Sequence, residues 1–495
     1  MKPSLFKYVF LSALIGAGAQ AAENPWRAMA REDLAFTERY VREQYVTASY
    51  PDPKAFAQRL AAAHRTAAAE LPKVDSFQGY KALLQRYMNG LDDEHDWVQF
   101  NLSAIAFKWP GFLLAYKGRH YITDAAEAPG APENGLEVTE CDGTPIQNWI
   151  ERVEPFSGGH PGLESTKAAA AHAFLINQGN PFLKAPTRCT IGGKAVDLAW
   201  QSLPLPQFLG LPGGVNSTVK RETSVAPFGQ NGAWVRLGVF GMETEGQAAE
   251  FRAAMAQAPS LRDKSVIVLD VRGNLGGPYN WFMAFLRELY GQPYADYYAR
   301  ARLDIHPVFR ASPETAAFLG QDEGDGEPLP ADSPLTVPAD PPNDAANGDE
   351  SAAAGIKAAL AAGKPVFAMK HTTPARTGEA PANPVRAKVY VLTDYQCASS
   401  CISFVDELKL FPGVTQIGLE TSVDNRTGTP MPHALPSGNG AVVVATMIRD
   451  GRARGDGVPQ KPAYEFPGDI NDTEVVRHWI AANVITHDKV AGFQP

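Results

Sequence analysis

The stretch AKVYVLTDYQCASSCISFVDELKLFPGVTQIG, residues 387–418, decides how this chain is read. The β-branched, apolar run from Val389 to Thr393 has the pattern of a buried strand. It breaks at a knot of small residues, Cys397-Ala398-Ser399-Ser400-Cys401, after which an amphipathic helix runs through Phe404, Glu407 and Leu408 to a stop at Pro412-Gly413. A serine at a strand-to-helix turn is exposed, close to unpaired backbone N–H groups and at the positive end of a helix dipole. Hydrolases place nucleophiles there, because the same N–H groups can hold the oxyanion that forms. The plainer role for Ser399 or Ser400 is to cap the helix.

Working outward, the same alternation appears upstream. Ala233 to Leu237 reads as a strand and Glu245 to Gln257 as a helix. Ser265 to Val271 is almost wholly apolar, as expected of a strand covered on both faces. The turn Arg272-Gly273-Asn274-Leu275-Gly276-Gly277 follows it and leads into a helix from Trp281 to Tyr290. Three glycines in that turn let backbone approach a ligand or a reacting group closely. The spacing fits neither of the glycine-rich nucleotide loops, and a tight turn is the alternative. The α/β pattern resumes at Pro365 and ends near Thr486.

Residues from Pro25 to Asn89 are helical in pattern, as in Asp33 to Gln44 and Pro53 to Glu70. From Phe107 to Pro204 the chain reads as short strands with Gly turns, and Gln147 to Val153 as a helix, the order of a small mixed α/β module. Between Ala311 and Lys364 lies a tract rich in Pro, Ala, Gly and Asp, expected to be a mobile surface insertion.

Composition narrows the function classes. Lys2 and Lys7, the apolar run Val9 to Ala19 and the small-residue site Ala19-Gln20-Ala21 have the form of an export signal. That run is too short to span a bilayer and no comparable run follows, so the expectation is an exported, periplasmic or secreted chain with no integral membrane segment after signal removal. A net charge of −9 without a basic block argues against nucleic acid as a partner. Four cysteines in an exported chain allow two disulfides, with Cys141 and Cys189 the natural first pair. Cys397 and Cys401 bracket Ser399 at a spacing that puts helical Cα atoms about 6.2 Å apart, near the upper limit for a bridge. They pair if Cys397 lies just before the helix, and otherwise are buried small hydrophobes. Leu91-Asp92-Asp93-Glu94-His95-Asp96-Trp97 crowds acids around one histidine, whose ring such carboxylates can orient; an exposed acidic turn is the alternative. GxSxG, HExxH and CxxC are absent, which removes the α/β-hydrolase elbow and the common zinc sites.

Together these segments resemble the C-terminal-processing (tail-specific) serine proteases, a family that includes the tricorn core. SVIVLDVRGNLGG is similar to that family's strand ending in D-x-R-x-N-x-G-G, and VYVLTDYQCASSCISFVDELK to its nucleophile segment. Gly418 to Thr421 resembles its G-x-x-T turn, Gly457-Val458-Pro459 its closing element, and Leu91 to His95 the L-x-D-x-H of the branch that uses histidine. The resemblance implies an α/β fold, a mostly parallel sheet with helices in a crotonase-like core. It also implies Ser399 as nucleophile, and the Gly276 and Ser400 backbone N–H groups as oxyanion hole. A lysine base is excluded: its place after the G-x-x-T turn is Asp424, and no lysine stands between Lys409 and Lys461. His95 is then the base, with His433 in reserve and Asp456 or Glu420 as the orienting acid. The family's glutamate early in the nucleophile helix is Ile402 here, and its acid before G-V is Arg454.

The expected organisation is a signal at residues 1–21, a helical region at 22–105, and a PDZ-like module at 106–205. A protease core at 206–475 containing the 311–364 insertion follows, then a C-terminal helix and tail at 476–495. The function read from this is an exported serine endopeptidase acting on protein or peptide chains, without metal or organic cofactor. The rival reading is a catalytically degenerate relative that holds a peptide or hydrophobic ligand. A third is a cysteine hydrolase using Cys397 or Cys401.

Overall fold

A computed structural model describes residues 23–100, 106–211, 221–299, 305–321, 351–369 and 378–494. The signal stretch at residues 1–21 and the centre of the insertion lie outside them.

The apolar strands stack into a six-stranded sheet in the order Thr223–Phe228, Gly232–Leu237, Val266–Asp270, Lys388–Thr393, Val414–Gly418 and Tyr464–Glu465. The first pair is antiparallel and every other neighbour parallel. The continuous apolar run Val266–Leu269 has its cause here, since all four residues, and Asp270 after them, are buried. Ile267 and Leu269 pack with Phe251, Phe282 and Phe404 from helices on one face. Val266 and Val268, pointing the other way, pack with Tyr390, Ile417, Val476 and Ile480. The expected mostly parallel sheet covered by helices is what forms. Its helices Glu245–Gln257 and Tyr279–Tyr290 lie where the periodicity puts them.

A second body holds the N-terminal helices Pro25–Gln44, Pro53–Glu70 and Phe77–Asn89. They share a core with an antiparallel sheet built around the long strand Gly440–Asp450, which pairs with Trp97–Phe100, His306–Arg310 and Thr427–Ala434. The insertion's two ends are packed rather than loose. Helices Pro313–Gln321 and Ala352–Ala361 bury Ala316, Ile356 and Ala359 against Phe309.

The module near residues 107–204 contains the hairpin Leu113–Lys117/His120–Asp124, a four-stranded antiparallel sheet, and helices Ile146–Ser157 and Glu164–Phe174. The Cys141–Cys189 disulfide joins two neighbouring strands of that sheet, as the first pairing anticipated. Among the described residues no helix is long and apolar enough to cross a membrane.

Candidate active site

Val266–Asp270 and Lys388–Thr393 are parallel neighbours with Asp270 opposite Leu392, so the segments leaving their C-terminal ends must meet. They do. The Gly273 amide donates to both carboxylate oxygens of Asp394 at 3.0 and 2.9 Å, and Ala398 N–H donates to the Asn274 carbonyl at 3.1 Å. The glycine turn is held from below by Asp270, which takes Arg236 at 2.8 Å and Arg272 at 2.7 Å. Burial opposes its ionisation, yet the two guanidinium groups hold its carboxyl down at about 2.

Helix Ser400–Leu408 starts from Ser399 as its N-cap. Ser399 has φ 52° and ψ −121°, and its side chain makes no capping hydrogen bond. A capping serine keeps an extended backbone and accepts an N–H from the first turn. Ser399 does neither. A non-glycine residue in this region costs on the order of 1–3 kcal/mol and persists only where the surroundings impose it. Here they include a Cys397–Cys401 disulfide spanning the serine, with Cα atoms 5.3 Å apart, and Ser422 N–H bonded to the Cys397 carbonyl at 3.1 Å. With both sulfurs bonded to each other and both cysteines buried, neither is a thiol nucleophile.

Gly276 abuts this turn, but its N–H is not free. It donates to Asn274 Oδ1 at 2.8 Å. This corrects the expected donor: Gly276 supplies close approach, while the Leu275 and Gly277 amides on either side, like that of Ser400, carry no hydrogen bond among the described residues. The signal for this was Asn274 itself, whose amide also donates to the Leu237 carbonyl and so turns its oxygen toward the loop.

His95 lies in the loop between helix Phe77–Asn89 and strand Trp97–Phe100. The chain from Leu419 to Thr427 connects it to the serine turn: Ser422 bonds Cys397, Asn425 Nδ2 donates to the Asp92 carbonyl at 2.6 Å, and the Thr427 hydroxyl donates to Asp93 at 2.7 Å. Behind His95 stands Asp93, fully buried. Its Oδ1 accepts the His95 backbone N–H at 2.9 Å and lies 3.7 Å from the ring's Nδ1, an ion-pair approach longer than a hydrogen bond. Tyr45 also donates to it. Burial would raise the Asp93 carboxyl, but His95 and the two hydroxyls outweigh it and hold it below the usual range. Asp96 next to it is pushed well up by burial and by the charge on Asp93, which concentrates the negative charge on Asp93.

Asp93 is thus the carboxylate against the ring, and the proposed alternatives are elsewhere. Asp456 binds Arg426 at 3.0 Å. Glu420 is half-buried, its carboxyl raised first by burial and lowered by Lys461. His433 packs on Phe36 and Tyr40 and faces Glu314, away from the serine turn. Asp424, in the lysine's place, pairs with Arg452 at 2.9 Å and Arg454 at 2.6 Å. Sequence reading also passed over His160. Its ring sits between Asp92 at 2.9 Å and Glu94 at 3.0 Å, joining the module to the His95 loop. Burial opposes its protonation, but those two carboxylates raise it to about 10.

No protein-family model matches the chain, and no curated protein matches it in sequence. Solved structures do. Mature CPAF complexed with lactacystin is similar over 92% of this chain and 96% of its own, at 16% identity and a TM-score of 0.63. Mature CPAF alone is similar over 94% and 99%, at 14% identity and a TM-score of 0.63. The photosystem II D1 C-terminal processing protease also matches, over 92% and 98%, at 14% identity and a TM-score of 0.35. With the parallel sheet, the glycine turn and the serine-bearing helix in their expected order, the chain has a fold like that of mature CPAF.

Proposed function

We propose that the chain is an exported serine endopeptidase that cleaves protein or peptide chains. One observation carries the reading: Ser399 occupies a strained backbone at a helix N-terminus with its hydroxyl left out of the cap. Strain of this kind gathers where a side chain must be presented to a reactant.

In the proposed cycle Ser399 Oγ attacks the scissile carbonyl carbon and its proton passes to His95. The carbonyl electrons move onto oxygen, where the Ser400 amide and a free amide flanking Gly276 stabilise them. As the C–N bond breaks, His95 returns the proton to the leaving amine. Water then repeats the sequence on the acyl-enzyme. Asp93 orients the ring and stabilises the imidazolium. Export is supported by the signal-like start and by two disulfides, which persist in oxidising compartments.

A groove of about 350 Å³ runs between strand Leu113–Lys117 and helix Glu164–Phe174, reaching Tyr395 and Gln396 just ahead of the serine. An extended peptide added to that strand would arrive beside Ser399, which is the role proposed for a PDZ-like module.

The test is fluorophosphonate labelling together with casein or peptide cleavage. Wild type should label at Ser399 and cleave. Ser399→Ala should abolish both, and His95→Ala should lower turnover by roughly 10⁴–10⁶. Wild-type turnover in Ser399→Ala ends the proposal. A folded wild type that binds peptide but neither labels nor cleaves would leave the ligand-holding scaffold.

A further inference from the structure

A cavity of about 450 Å³ opens between helix Phe77–Asn89, helix Ile146–Ser157 and the loop after Phe174. None of its walls comes from the serine turn or the His95 loop. Its size is that of a small-molecule pocket, typically about 300–1,000 Å³.

Two features of the walls set the ligand's chemistry. The apolar part is aromatic: Trp149, Phe174 and Trp200 line it, and Phe156 stacks on Phe182 with ring centroids 6.2 Å apart. The indole N–H groups of Trp149 and Trp200 are bonded to backbone carbonyls at 2.8 and 2.9 Å, so neither donor is left over for a ligand.

The polar part is cationic in a chain whose net charge is −9. Lys81, Arg152 and Lys184 line the cavity, against Glu151 as the lining carboxylate. Arg86 is already paired with Glu70. Among the described residues Lys81 Nζ meets only the neutral Gln178 Oε1, at 2.5 Å, and Arg152 lies over the Trp149 ring. Neither has an ion-pair partner among the described residues. Burial draws the Lys81 ammonium down to about 8, a cost that an incoming anion would relieve.

We propose that this cavity binds a small carboxylate with an apolar body, its head between Lys81 and Arg152 and its body against the aromatic wall. An acyl chain and a planar aromatic acid share that chemistry, and the test separates them. The full chain is titrated calorimetrically with decanoate and with 1-naphthaleneacetate, and with the primary amide of each as uncharged control. At least one acid should bind with a Kd of about 100 µM or tighter, which a dozen heavy atoms can supply. Its amide should bind roughly tenfold more weakly, the value of one charge-assisted hydrogen bond. Lys81→Met and Arg152→Met should each weaken binding by about the same factor, with peptide cleavage unchanged. If Lys81→Met does not fold, Arg152→Met on the helix surface decides alone. Binding of both acids weaker than about 100 µM, equal binding of acid and amide, or unchanged affinity in the folded variants overturns the proposal.

Discussion

Gly276 lies so close to Ser399 that a Cβ built on it would stand 3.0 Å from the Ser399 Cβ and 2.8 Å from the Ser400 amide nitrogen. Its φ of 98° is also one that side chains rarely adopt. The two constraints act on one point, since the glycine turn and the serine turn leave adjacent parallel strands and are pressed together. Gly276→Ala must therefore push the serine turn away or flip its own peptide, at a cost of about 1–2 kcal/mol or more. We expect a fluorophosphonate labelling rate at Ser399 lowered by roughly 10²-fold or more, the loss seen when oxyanion geometry is spoiled. Far-UV circular dichroism should stay unchanged. Labelling at the wild-type rate would show that the glycine turn does not align the serine.

Asp93 makes a sharper prediction, because it is buried, ionised and aimed at His95 Nδ1. Asp93→Asn keeps the shape but removes the negative charge behind the ring. It should lower kcat by roughly 10²–10⁴ with KM little changed. Asp456→Asn and Glu420→Gln should stay within a few-fold of wild type, since neither carboxylate faces the ring. Steady-state cleavage of one peptide by all three variants decides the matter. A wild-type kcat in Asp93→Asn removes Asp93 from the orienting role.

What the sequence disclosed and what it hid divide along physical lines. The runs Val266–Leu269 and Val389–Leu392 were legible because a strand buried on both faces needs unbroken apolar residues. Ser399 was legible because small residues between a strand and a helix mark a sharp turn. The antiparallel sheet around Gly440–Asp450 was not, since Trp97 pairs with Val443 across most of the chain and no local period records that pairing. Asp93 was in plain view among four acids flanking His95, but spacing alone does not say which acid turns inward. Thr427 and Tyr45, which select it, come from distant segments. The Gly276 amide was misassigned because whether an N–H is free depends on a neighbour's rotamer, here that of Asn274.

The two disulfides should separate stability from activity. Cys141–Cys189 closes 48 residues and Cys397–Cys401 closes 4. In the chain-entropy account the first is worth about 4 kcal/mol and the second about 2 kcal/mol. Cys397–Cys401, however, spans the residue with the strained backbone. Replacing both of its cysteines by alanine should lower Tm less than the same change at Cys141 and Cys189, yet reduce kcat more, by about tenfold or beyond as Ser399 relaxes. Differential scanning fluorimetry and peptide cleavage on both double variants give the two rankings. Identical rankings would mean that the short bridge contributes only to folding.

His160 gives the pH-dependent case. Its folded-state value of about 10 is raised from 6.5 in the unfolded chain, so the imidazolium binds its proton more tightly when folded. A raised value adds stability that is complete below about pH 6.5 and disappears as pH rises through 10. The groups facing it are Asp92 and Glu94 on the His95 loop and Asn425 on the connecting segment, and burial raises Glu94. His160→Gln should therefore lose roughly 1–3 kcal/mol at pH 6. The gap to wild type should shrink steadily from pH 6.5 to 10 and close above that. Because Asp92 and Glu94 flank His95, kcat at pH 6 should fall with stability, whereas a latch outside the site would move Tm alone. Tm and kcat measured every half unit from pH 6 to 10.5 test both parts. A gap that stays constant across that window would show that the ring is not held as a cation between the two carboxylates.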